Sequence, residues 1–254
     1  MISFPNAKIN LGLFITEKRD DGYHNLETVF YPVKKIKDAL EIVPSQSETN
    51  VHIHGLSVAG NKEENLVWKA FQLLKEKFPG KIPSLNIHLL KAIPTGAGLG
   101  GGSADGAFML RLLNDYCNLK LTAGELATLS LKLGSDCPFF IYNSPQFAMG
   151  RGERMQPHII DLSSFEIKLI TPGIHVSTQK AFRMITPRPA QYDLRKLNTA
   201  DIENWKEYVI NDFEKPVFHL HPELQELKQK LYDEGALYAS MSGSGSAVYG
   251  IYRK

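Results

Sequence analysis

A lysine on an alternating strand, an aspartate ahead of a proline and a run of glycines are the parts of this 254-residue chain whose types and spacing could do chemistry. The run is Pro94-Thr95-Gly96-Ala97-Gly98-Leu99-Gly100-Gly101-Gly102-Ser103-Ala104-Asp105. Leu85, Ile87 and Leu89 alternate before it as in a half-buried strand, and Ala104, Ala107, Phe108 and Leu112 follow at helical spacing. Strand, glycine loop and helix in that order aim unpaired backbone N–H groups and the positive end of a helix dipole at one point. The missing side chains let a phosphate come close. A tight connection without a ligand needs only one or two glycines, whereas this one has five.

Two familiar phosphate loops fit poorly. Gly96, Gly98 and Gly101 match G-x-G-x-x-G, but no acidic residue follows about twenty positions on, around Lys120 and Leu121, where a dinucleotide site needs one. A Walker loop needs Gly-Lys-Ser/Thr, and the chain has Gly101-Gly102-Ser103. The chemistry such a phosphate loop invites is phosphoryl transfer, which asks for held phosphates, neutralised charge and a base near the acceptor hydroxyl. Lys8 can stabilise charge and Asp136 can take a proton. Asp136 reads equally as a cap of the short element opened by Pro138. Ser103 or Asp105, in the first turn after the loop, could meet Mg²⁺, and Asp105 is as plausible a partner of the helix dipole.

These residues need elements to position them. From Lys8 to Ile15 the chain alternates, with Ile9, Leu11, Leu13 and Ile15 on one face and Lys8, Asn10, Gly12 and Phe14 on the other. A lone lysine on a strand usually faces water, but Gly12 and Phe14 do not resemble a solvated face. Asp20-Asp21-Gly22 predicts a hairpin turn into Tyr23-His24-Asn25 and a strand over Leu26–Val33. Tyr23 and His24 offer an aromatic platform beside a hydrogen-bonding ring, or simply a half-exposed surface pair. Strands are expected at 39–43 and 51–54, and a helix capped by Asn65 and running to about Phe78. Thr122 to Glu125 forms a capping box for the next helix. Phe147 to Met155 reads as strand, turn, strand, with Arg151 and Arg154 within possible reach of a phosphate. A boundary is placed near Leu162-Ser163-Ser164. Beyond it come a strand at 167–171, a helix opened by Ser177-Thr178 and containing Phe182, and helices near 201–211 and 222–233. Two last strands flank Ser242-Gly243-Ser244-Gly245-Ser246, which alone reads as a flexible hairpin. His52, His54 and His88 read as structural.

The loop Pro-x-Gly-x-Gly-Leu-Gly-Gly-Gly-Ser-Ala resembles the phosphate loop of the GHMP kinases. Pro5-Asn6-Ala7-Lys8-Ile9-Asn10-Leu11-Gly12-Leu13, Asp21-Gly22-Tyr23-His24-Asn25-Leu26, the glycine loop, Gly134-Ser135-Asp136-Cys137-Pro138-Phe139-Phe140 and Ser242-Gly243-Ser244-Gly245-Ser246-Ala247 occur in order and span nearly the whole chain. That set is similar to the GHMP kinases of the non-mevalonate route to isoprenoid precursors. The resemblance implies an α+β, two-domain GHMP kinase fold. A ribosomal-protein-S5-like domain would cover 1–162 and a ferredoxin-like α/β sandwich 163–254. It implies ATP as donor with Mg²⁺, and as acceptor the C2 hydroxyl of a cytidine diphosphate-linked methylerythritol. Lys8 and Asp136 fall on the family's catalytic pair, and Pro94 to Ala104 on its ATP loop. Asn10 would help to position the acceptor. Tyr23 and His24 fall on cytidine-recognition positions, with Phe182, next to Thr178 on the same short helix, closing the other side of the base. Thr95 stands where relatives often carry methionine, and Lys91 and Asn65 would border the adenosine. Kinases for homoserine or mevalonate share the loop and the aspartate but have no evident use for a Tyr-His platform.

Composition sets the outer limits. The chain is 43% hydrophobic and 22% charged, as in ordinary globular proteins. A net charge of +2 gives no footprint for nucleic acid. Cys117 and Cys137 make no disulfide framework, and no signal peptide or membrane span is evident, so a cytoplasmic protein is expected. A small-molecule acceptor, and a monomer or homodimer, are what the resemblance implies.

Overall fold

The alternation that begins at Lys8 becomes a 13-residue strand, β2 (Asn6–Lys18), buried on both faces from Asn6 to Ile15. It belongs to a computed structural model that describes residues 1–58 and 60–254. The other elements of the first half are β1 (Ile2–Ser3), β3 (His24–Lys37), β4 (Ala39–Pro44), β5 (Asn50–Gly55), α1 (Leu66–Lys77), β6 (Leu85–Lys91), α2 (Gly101–Tyr116), α3 (Ala123–Ser130), α4 (Cys137–Tyr142), β7 (Gln146–Gly150) and β8 (Arg154–Pro157). The second half contains β9 (Phe165–Ile170), α5 (Thr178–Arg183), α6 (Trp205–Tyr208), α7 (Glu214–Leu220), α8 (Pro222–Asp233), β10 (Tyr238–Met241) and β11 (Val248–Arg253).

The chain packs as two compact units and changes from one to the other after residues 7, 32, 95, 99 and 144. The boundary expected near 162 is a cut in chain order. Packing instead groups 8–32, 96–99 and 145–254.

In the first unit the sheet order is β1-β4-β6-β5, with β4 antiparallel and β5 parallel to β6. Leu40, Ile42, Leu85, Ile87 and Leu89 face the core, where burial of each large side chain contributes about 1.5–3 kcal/mol. His52 and His54 stack against His88 on the opposite face. Asn65 caps α1 as expected, its side chain accepting from the Val67 N–H at 2.9 Å. Thr122 and Glu125 form the expected capping box of α3. α1 and α2 pack together, and Gly106 permits it: a Cβ there would lie 3.0 Å from the Leu66 side chain.

In the second unit one sheet has the order β2-β3-β7-β8 and another the order β10-β11-β9. Leu13 and Ile15 join Val176, Ala181, Phe213, Val217, Leu224, Leu231, Met241 and Val248 in its core. The helix expected near 201–211 is instead a 3-10 segment at Thr199–Asn204 followed by the single turn of α6. Ile202, Trp205 and Val209 have helical spacing. The chain leaves the helix because Asn211 bridges to Leu13 of β2 and the Leu13 N–H binds Ile210 O at 2.8 Å. α7 lacks an evident sequence signal: Pro216 sits in its first turn, the one place a helix tolerates it. Among the described residues no helix is long and apolar enough to cross a membrane.

Candidate active site

Lys8 does not face water. Its residue is 4% exposed, and its ammonium donates to Asn10 Oδ1 at 2.7 Å and lies 5.0 Å from the Phe30 ring centroid. A hydrogen-bond chain fixes which way the Asn10 amide points. The Thr28 hydroxyl gives its single proton to Gly12 O at 2.5 Å, so it can only accept from Asn10 Nδ2, at 2.9 Å. That leaves Oδ1 of Asn10 turned to the lysine. Gly12, with φ of +71°, backs onto Leu194 and Val209, where a Cβ would stand 2.8 Å from Leu194 Cδ2.

The strand of Lys8 also holds the glycine loop, because the Lys8 N–H donates to Leu99 O at 2.9 Å. Ser242 Oγ donates to Gly98 O at 2.9 Å, and the Ala247 N–H to Ala97 O at 3.1 Å. Three successive loop carbonyls are thus tied to protein donors. In a trans peptide the carbonyl and the following N–H point opposite ways. The N–H groups of Gly98, Leu99 and Gly100 are therefore directed away from those partners, as an anion cradle requires. Gly96, Gly98 and Gly100 all have positive φ, near +70 to +80°. The loop continues into α2 through Gly100, which has no side chain to cap the first turn. The first helical bond runs from the Ala104 N–H to Gly100 O, so the amides of Gly101, Gly102 and Ser103 have no partner within the helix. A Cβ on Gly102 would have no heavy atom within 4 Å, so there is open room at that turn.

The Ser242–Ser246 segment does join adjacent antiparallel strands, but it is not a loose hairpin. Ser242 and Ser246 are buried, and Asn211 Nδ2 binds both Met241 O and Gly243 O at 2.8 Å. The Thr178 hydroxyl meets Ser244 Oγ at 2.8 Å.

In the first unit Asp136 stands at the N-cap position of α4, yet its side chain makes no capping hydrogen bond. The cap alone therefore does not account for an aspartate here. Burial pushes the thiol of the next residue, Cys137, up to about 12. Asp105 is turned into the core: its Oδ2 accepts from Lys91 Nζ at 2.7 Å, and its Oδ1 is buried without a partner. Burial, and then the neighbouring Asp38 carboxylate, push the Asp105 carboxyl up to about 8 against the pull of Lys91. Asp105 thus does not suit Mg²⁺, and of the two candidates Ser103 is the one left. Among the described residues no cluster of three His, Cys, Asp or Glu side chains could hold a metal.

A group of rings lies in the second unit. His24 stacks on Phe182, centroids 4.9 Å apart, and Phe182 meets Phe213 edge-on at 4.8 Å. Tyr23, 56% exposed, lies under the Arg151 guanidinium at 4.7 Å. Burial and the nearby Lys18 hold the His24 ring below its ordinary pKa, favouring the neutral, hydrogen-bonding form.

Residues 65–144 match the family described as GHMP kinases N terminal domain, and residues 192–254 match GHMP kinases C terminal. A 4-diphosphocytidyl-2-C-methyl-D-erythritol kinase of Parabacteroides distasonis is 50% identical over 254 residues, covering 100% of this chain and 92% of that protein. The kinase of the same name from Bacteroides thetaiotaomicron is 51% identical over 255 residues, covering 99% and 92%. This chain belongs to the 4-diphosphocytidyl-2-C-methyl-D-erythritol kinase family of the GHMP kinases. A crystal structure of a 4-(cytidine 5'-diphospho)-2C-methyl-D-erythritol kinase matches with a TM-score of 0.82 at 33% identity, covering 99% of this chain and 90% of that one. The GHMP kinase fold expected from the motifs is therefore the fold of this chain.

In this family member Lys8, Asn10, Ala97, Gly98, Leu99 and Ser242 are brought together, as are His24 and Phe182. Of the residues expected at the cytidine end, His24 lies directly on Phe182. Thr28 and Asn211, which hold Asn10 and the 242–246 turn, were missed. Only their burial distinguishes them, and a lone polar residue in an apolar strand such as Thr28 is the available signal.

Proposed function

We propose that this chain is a kinase that transfers the γ-phosphate of ATP to the C2 hydroxyl of 4-diphosphocytidyl-2-C-methyl-D-erythritol, in the non-mevalonate synthesis of isoprenoid precursors. The observation that carries the reading is the glycine loop. Its carbonyls are tied back at residues 97, 98 and 99, and its amides lead to an uncapped helix start, on a chain half identical over its full length to kinases of that name. ATP enters with Mg²⁺ as part of the substrate. A lone serine hydroxyl at Ser103 is no cage, which suits an ion that keeps its waters and nucleotide phosphates. Residues Pro94 to Ala104 hold the triphosphate. Lys8, oriented by Asn10, offsets charge developing on the transferred group, and Asp136 accepts the proton of the acceptor hydroxyl. Tyr23, His24, Thr178 and Phe182 bind the cytidylyl end, with Tyr23 on one face of the base and Phe182 closing the other side.

We place the enzyme in the cytoplasm, as a monomer or homodimer, with sequence domains over 1–162 and 163–254. The test is phosphorus NMR of the protein with Mg²⁺, ATP and 4-diphosphocytidyl-2-C-methyl-D-erythritol. A new phosphomonoester signal appearing with ADP is expected. ATP left intact by folded protein refutes the reading.

A further inference from the structure

The mechanism leaves unused a buried cluster of three ionisable side chains in the first unit, Asp38, Lys91 and Asp105, each at most 4% exposed in its side chain. Ion pairs without solvent access do little for stability unless every group has a defined partner, so their placement needs a reason. Asp38 lies at the break between β3 and β4, and its own N–H is tied to Pro5 O at 2.8 Å. Its Oδ1 accepts from the N–H groups of Ala92 at 2.6 Å and Ile93 at 2.8 Å, the two residues that carry the chain out of β6 toward the loop. Its Oδ2 accepts from the Lys91 ammonium. That ammonium also donates to Asp105 Oδ2, one turn into α2. It lies directly beneath the helix start: a Cβ on Gly101 would stand 3.3 Å from Lys91 Nζ and 2.8 Å from Ile93 Cγ2.

We infer that Asp38, Lys91 and Asp105 form a clamp that fixes the strand end before the phosphate loop against the helix start after it, and so presets the loop amides for the triphosphate. All three are positioning residues. The amides of Gly101, Gly102 and Ser103 ride on a helix that Asp105 anchors, while Asp38 anchors the other end through two backbone bonds. A loop held at both ends meets its anion without first being ordered, so losing one anchor weakens nucleotide binding while the acceptor side is untouched.

The inference rests on the loop being the ATP site, so ATP binding by the wild type is measured first, by calorimetric titration with Mg²⁺. Asp105→Ala removes one anchor and leaves the Lys91–Asp38 pair intact. We expect the KM and Kd for ATP to rise about tenfold, with the KM for the cytidylyl acceptor unchanged and faster hydrogen exchange at residues 100–104 in the nucleotide-free protein. Asp105→Asn, which still offers Lys91 an oxygen, restores ATP affinity to within about threefold. If the alanine variant does not fold, Asp105→Ser serves in its place. A folded variant with unchanged ATP affinity overturns the clamp alone, as does an asparagine variant as impaired as the alanine one, which would indicate a need for the carboxylate itself. A wild type that binds no ATP overturns the loop assignment and the clamp with it.

Discussion

Replacing Gly98 by alanine tests the loop most sharply. The added Cβ would stand 1.9 Å from Ser242 O, 2.9 Å from Ser242 C and 3.3 Å from Gly245 N. An ordinary carbon–oxygen contact is about 3.3 Å, so one of the two segments must retreat by roughly 1.4 Å. Gly98 also has φ of +77°, which costs a residue with a Cβ about 1–2 kcal/mol. Forcing the methyl in costs about 1–3 kcal/mol more. Retreat would break the Ser242 Oγ bond to Gly98 O, at about 1 kcal/mol. The sum is about 3–6 kcal/mol, a large share of a typical stability of about 5–15 kcal/mol. At about 2–4 °C per kcal/mol the midpoint should fall by roughly 6–24 °C, read by circular dichroism during heating. Gly102→Ala is the control with opposite sign. Nothing lies within 4 Å of its Cβ, so the fold should gain up to about 1 kcal/mol of helix propensity while ATP binding weakens, because the room belongs to the ligand. If Gly98→Ala melts within a degree of wild type, the close approach of the two loops is wrong. If Gly102→Ala is more stable and binds ATP normally, the open space is not a phosphate seat.

Asp136→Asn keeps shape and loses the base, so kcat should drop by at least about 10²-fold with the Kd for ATP retained; near-normal turnover removes Asp136 from the mechanism. Tyr23→Ala should raise the KM for the cytidylyl acceptor by the ~1–3 kcal/mol of one base–aromatic stack and leave the KM for ATP alone. An unchanged acceptor KM moves the base elsewhere. For Asp105 the folded carboxyl titrates at about 8 against 3.8 in a solvated chain. Below pH 3.8 it is protonated in both states, so its contribution to stability is fully present. As pH rises the unfolded chain releases this proton first, and the contribution is lost by the time pH passes about 8. Urea midpoints of the wild type should therefore fall relative to Asp105→Asn between about pH 4 and 8, and parallel curves would contradict the shift.

Much of this was legible in the residues. The alternation from Lys8 to Ile15, the Asp20-Asp21-Gly22 turn, the Asn65 and Thr122 caps and the strand–glycine–helix order are local signals, and local signals survive folding. What stayed hidden depends on partners distant in sequence. Asp38 and Lys91 are 53 residues apart, and Asn10 and Ser242 232 apart. One hint went unread: Leu85, Ile87, Leu89 and Lys91 continue a single buried phase, which places that lysine inside rather than at the surface. The helix expected near 201–211 failed for a related reason. Its apolar spacing is helical, but backbone pairing with β2 is worth more to residues 209–211 than another helical turn.

The repeated passage of the chain between its two units has a consequence for synthesis. All residues of the first unit have been made by position 144, whereas the second begins at Lys8 and is not complete until the last strand. Residues 8–32, the first part of their unit to be made, must wait for the C-terminal half. During that wait β2 exposes apolar side chains on both faces and an unpaired edge, the features that invite a chaperone or a neighbouring chain. Each unit carries one of the two tryptophans, Trp68 in the first and Trp205 in the second, so the emission of Trp68→Phe and Trp205→Phe variants reports separately on when each unit closes.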